Sequence, residues 1–152
     1  MEVACNGSLP TDVLFLLSGD KVTHSVPVPR VNITDAARDL LARLEVQHGP
    51  LMFHQSGGCC DGSSPMCYPR GEFRVGGSDM YMGEIAGTPF YMSVSQCEYW
   101  QHTQLTVDIV PGRGGGFSVE APEGVRFLIR SRLYDDAELD HLFPVHPANS
   151  LA

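Results

Sequence analysis

Positive charge is scarce in this chain: ten Lys and Arg face eighteen Asp and Glu across 152 residues, for a formal net charge of −8. Nucleic-acid binders present basic patches or stripes to phosphate, and here the few basic residues are scattered, which excludes that class and disfavours an anionic membrane surface. Long apolar runs are missing as well. No stretch approaches the ~20 residues needed to cross a bilayer. The longest apolar run near the N-terminus, Val13–Leu17, is too short for a secretory core and follows acidic Glu2, so a cytoplasmic chain is expected. The cysteines are only five (Cys5, Cys59, Cys60, Cys67, Cys97), odd in number and unevenly spaced. That pattern speaks against a disulfide framework and for reduced thiols used in metal binding or reactivity.

Glycine and proline, by contrast, are plentiful at sixteen and eleven. A chain that turns so often reads as strand-rich. With 43% hydrophobic residues it has enough apolar side chain for one domain with its own core. The expected fold is α+β and β-rich, a single domain over residues 1–152 with its core at about 10–133 and a loosely docked tail at 134–152. One amphipathic helix, Thr34–His48, is predicted to pack on a folded, mostly antiparallel sheet. Thr34 is a good N-cap, Asp35 suits the helix dipole, Ala37, Leu40, Leu41 and Leu44 share one stripe, and Gly49-Pro50 stops the helix. Strands are expected at Val13–Leu17, Leu51–Phe53, Met80–Ile85, Phe90–Val94, Leu105–Val110, Phe117–Val119 and Val125–Ile129. A connection longer than two residues is expected between Met80–Ile85 and Phe90–Val94, and one helical turn within Ser95–Gln101. The glycines from Gly112 to Gly116 read as a hairpin turn, since no Gly-Lys-Ser/Thr ending follows them.

Chemistry concentrates between His54 and Cys67. One imidazole, three thiols and Asp61 occupy fourteen positions in a stretch whose glycines and proline point to loop. Thiolates with an imidazole are ligands for zinc, iron or cuprous copper, and glycine gives a backbone the freedom to converge them. Adjacent Cys59 and Cys60 project oppositely from extended chain. The expected ligand set is therefore one of that pair, with Cys67 and either His54 or Cys97. The same atoms admit a redox use, a vicinal Cys59–Cys60 disulfide, and a nucleophilic use with His54 as base. They also admit a plain one, small thiols packed in a glycine-rich turn. Cys97 and His102 fit core filling and capping, and Asp79 and Glu84 are spare carboxylates with no evident pair.

The run Phe53-His54-Gln55-Ser56-Gly57-Gly58-Cys59-Cys60-Asp61-Gly62-Ser63-Ser64-Pro65-Met66-Cys67 resembles the signature of a family of small uncharacterised bacterial proteins often encoded beside aldehyde dehydrogenases. The likeness continues through Gly87–Tyr91 and Gly114–Ser118 to about Leu133. It implies context more than mechanism: an aldehyde dehydrogenase as partner. Ile33–Ala37 opening a helix, then a strand into Gly57-Gly58-Cys59, is similar at greater distance to the A-type, HesB-like iron–sulfur carriers. That likeness implies a HesB-like β-domain with Cys59 at the position of the carriers' first cluster cysteine. The carriers' closing Cys-Gly-Cys has no counterpart in Phe127–Leu133. Cys60, Cys67 and Cys97 would have to stand in, so a mononuclear zinc or iron ion is expected ahead of a cluster. The function expected on these grounds is a metal-binding accessory protein of aldehyde metabolism. The alternatives are a small enzyme with a cysteine nucleophile and His54 as base, and a dehydrogenase-binding protein without chemistry of its own.

Overall fold

The helix forms where the apolar stripe and its cap require it. A computed structural model of the chain, describing residues 26–58, 62–113 and 117–148, places helix α1 at Asp35–His48 directly after strand β1, Val31–Ile33. The Thr34 hydroxyl accepts from the Ala37 amide at 3.2 Å and donates to Asp108 Oδ1 at 2.9 Å, so one cap starts the helix and ties it to the neighbouring sheet. Ala37, Leu40, Leu41 and Leu44 are all buried. Gly49, at φ 81, ends the helix in a backbone region that side chains resist.

The strands form two sheets. Strands β6 (Thr103–Pro111) and β7 (Val125–Leu133) make a long antiparallel ladder, with β1 added parallel to β6. The second sheet has the order β3-β2-β5-β4-β8, from Met66–Pro69, Leu51–Gln55, Thr88–Ser93, Asp79–Ile85 and His146–Pro147. Its pairings are antiparallel except β2 with β5, which run parallel. The architecture is thus α+β and strand-rich, with two mixed sheets where one folded sheet was expected. Between the sheets, Phe53 stacks on Phe90 at 5.8 Å and meets Phe127 of β7 edge-on at 5.0 Å, forming the centre of the core.

Several elements differ from the sequence expectation, each for a visible reason. Cys67 lies on strand β3, where glycines nearby had suggested loop throughout; β3 gains its partner from β2, a long-range pairing no local pattern announces. β4 and β5 are joined by only Ala86 and Gly87, both at positive φ (51 and 80), the mirror-image turn that matches strand twist. Pro89 is accommodated within β5 instead of the turn. Phe117–Val119 is not a strand; β6 and β7 are linked by residues 112–124, which include a 3-10 turn at Ala121–Glu123. Ser95–Gln101 contributes helix α2, Val94–Tyr99, capped by Ser93. The tail docks where its residues are described: a short helix α3 at Asp136–Leu139 precedes β8, which pairs with β4, and Val145 and Ala148 are buried. Val13–Leu17 and Cys5 lie outside the described residues. No described helix is long and apolar enough to cross a membrane.

Candidate site at the end of the parallel strand pair

β2 is buried on both of its faces, and strand alternation gives those faces different contents. Register pairs Phe53 with Cys67 and with Phe90, and Gln55 with Met92, on the side toward the core. His54 pairs with Met66 and Tyr91 on the outer side. His54 and Cys67 therefore stand on opposite faces of one sheet, and the structure does not bring them together.

His54 is 4% exposed and both ring nitrogens are engaged. Nε2 lies 2.8 Å from Asp79 Oδ1 and Nδ1 lies 2.9 Å from Ser56 Oγ. A carboxylate only accepts, so in the neutral tautomer that carries its proton on Nε2 the ring donates to Asp79 and its Nδ1 lone pair accepts from the Ser56 hydroxyl. Asp79 is itself held, its Oδ2 accepting from the Gly76 amide at 2.9 Å. Phe73 lies over the imidazole, centroids 4.4 Å apart, and shields it from water. Ser56, just past the strand end, is exposed. An aspartate, a buried histidine and an accessible hydroxyl are thus in line. The arrangement can take a proton from that hydroxyl.

The predicted thiol ligands fare differently. Cys67 is fully buried, and burial, with Glu120 and Glu45 adding to it, pushes its thiol up and away from thiolate. Cys97, on α2, is fully buried. Cys59, Cys60 and Asp61 also lie outside them. Among the described residues no three His, Cys, Asp or Glu side chains gather as a metal site. Gly58, at φ 122, is packed so closely that an added Cβ would sit 2.3 Å from Ser63 Oγ, so glycine is required in the turn leaving Ser56. Beside it the buried Gln55 donates through Nε2 to the Gly57 carbonyl.

Sequence reasoning did not single out Ser56, and it named Asp79 as a spare carboxylate without finding its partner His54. Ser56 had a signal, since a strand places residues i and i+2 on one face. The pairing of Asp79 had none: it reaches His54 because β5 sits between β2 and β4 and pairs Asp79 with Ser93. A separate cavity of about 780 Å³ is lined by residues including His48, Glu72, Arg113 and Phe117, and His54 is not among its lining residues.

Residues 40–133 match the family model described as a domain of unknown function, DUF779. No curated protein matches the chain.

Proposed function

The chain belongs to the DUF779 family, and from that premise we propose that it is a small enzyme whose Ser56 hydroxyl is activated by His54, with Asp79 orienting the imidazole, for acyl transfer from an ester or thioester. The observation that carries this is the pair of contacts on one ring, Asp79 at 2.8 Å and Ser56 at 2.9 Å, around a histidine that is itself buried. As Ser56 Oγ bonds to the carbonyl carbon, its proton passes to Nδ1 and Asp79 stabilises the imidazolium. The leaving alkoxide or thiolate takes that proton as its bond to carbon breaks. Water then repeats the exchange on the acyl-serine, releasing the acid. Of the nucleophiles weighed from the sequence, this keeps His54 as base and replaces cysteine with serine.

The test is labelling with a fluorophosphonate and mapping the adduct by mass spectrometry. Labelling is expected at Ser56, to be lost in Ser56→Ala, and to slow by about a hundredfold or more in His54→Ala, the range general-base catalysis spans. Labelling that His54→Ala leaves unchanged would remove the proposal.

One observation supports metal binding as a second reading. A histidine that donates one nitrogen to a carboxylate and offers the other as a lone pair is also how metal-ligating imidazoles are held. In that reading Nδ1 would bind zinc or iron together with one thiolate of the Cys59–Cys60 pair, in an accessory role for an aldehyde dehydrogenase. Stoichiometric metal in protein purified without chelator, lost in both His54→Ala and Cys59→Ser, would favour it over acyl transfer.

A further inference from the structure

The outer face of the five-stranded sheet carries a row of side chains that the relay does not use. Register aligns His54 of β2 with Tyr91 of β5, Tyr91 with Tyr81 of β4, and Tyr81 with His146 of β8. Alternation puts all four on the same face. The two tyrosine rings are 5.7 Å apart and both are half-buried. At one end of the row Phe73 lies over His54; at the other Phe143 meets Tyr81 edge-on at 6.2 Å and His146 at 6.4 Å. The floor between these two rings is therefore aromatic and begins at the proposed base.

We infer that this row is the acyl-binding surface of the site and that it selects a neutral aromatic acyl group, seated on Tyr91 between Phe73 and Phe143. The inference rests on the acyl-transfer reading above and adds the substrate class. Three features favour that occupant. Aromatic rings prefer offset or edge-on ring neighbours at about 4.5–7 Å, the spacing already present along the row. The charged groups that act on Tyr81, Glu84 and Arg70, are opposite in sign, so an acidic or basic ligand would meet no one-signed field there. And the row is continuous by register with His54, so a ring on Tyr91 would leave its carbonyl at the Ser56 end of the same face.

The experiment uses the full chain and two neutral amides of matched size, benzamide and cyclohexanecarboxamide, with binding followed by NMR titration. S-ethyl thiobenzoate and its cyclohexane counterpart are turned over in parallel. Benzamide should bind several-fold to about tenfold more tightly than the saturated amide, the scale of one or two ring contacts. Tyr91→Leu should erase that preference while Tyr91→Phe keeps it, and the thioester preference should fall in the same variant. Equal binding of the two amides, or a preference that survives Tyr91→Leu, overturns the inference. If Ser56 labels but no aromatic preference exists, the substrate class alone is wrong. If benzamide binds through Tyr91 but Ser56 never labels, the acyl-transfer reading has failed and the aromatic site stands.

Discussion

Phe53 and His54 are consecutive residues on one strand, both buried, with unlike surroundings. Phe53 looks into the space between two sheets, where it meets the rings of Phe90 and Phe127 within the apolar core. His54 looks outward, and its two ring nitrogens are met by hydrogen-bonding partners, Ser56 from two residues on and Asp79 from a distant strand. The inner face of the sheet thus holds the fold together by apolar burial, while the outer face buries an imidazole held by two hydrogen-bond partners. Strand alternation separates the two tasks by one residue.

If that division is right, the two neighbours should fail differently. Phe53→Ala should cost about 3–5 kcal/mol in chemical denaturation, because a fully enclosed ring leaves a cavity. His54→Ala should cost less, about 1–3 kcal/mol for unpaired partners, yet slow labelling at Ser56 by about a hundredfold or more. Equal destabilisation by both would mean that His54 is core filling. Next in size is the inner thiol. Cys67 should react with an alkylating agent at least about a thousandfold more slowly in the native protein than in urea, since the fold must open to expose it. Rapid native alkylation, read by mass spectrometry of the Cys67 peptide, would place it outside the core.

Local signals carried much of the fold. The α1 stripe, its Thr34 cap and Gly49 stop are all written within sixteen residues of Thr34 and are found as expected. The β6 alternation, Leu105 and Val107 against polar neighbours, is equally local. What could not be read was register. Three thiols within nine residues suggested convergence, but β3 forms opposite β2 and turns Cys67 to the face away from His54. Two strands that pair without adjacency, β2 with β5, bring Asp79 to His54 from 25 residues away. Of the candidates close in sequence, Cys67 stands apart from His54, while the carboxylate that meets the imidazole comes from far along the chain.

The smallest expected effect compares two carboxylates on the two sides of the sheet. Asp79 has an imidazole beside it; Glu120 is fully buried and, among the described residues, has hydrogen-bond donors but no cation. The Ser118 hydroxyl donates to Glu120 while accepting from the Cys67 amide at 2.8 Å, and the Phe127 amide reaches Oε2 at 3.4 Å. Burial outweighs these donors and raises the carboxyl above its ordinary 4.5. A carboxyl raised in the fold binds protons more tightly folded than unfolded, so its stabilising contribution is complete below 4.5 and is lost as pH rises through the folded value. Glu120→Gln keeps an acceptor for the Phe127 amide and cannot ionise. The variant should therefore gain on the parent in urea midpoint as pH climbs from 4.5 toward 7, with little change in cooperativity. A difference between the two proteins that stays constant across that range would show that Glu120 is ionised as readily in the fold as out of it, and that the inner side of the sheet can hold a lone carboxylate at no cost.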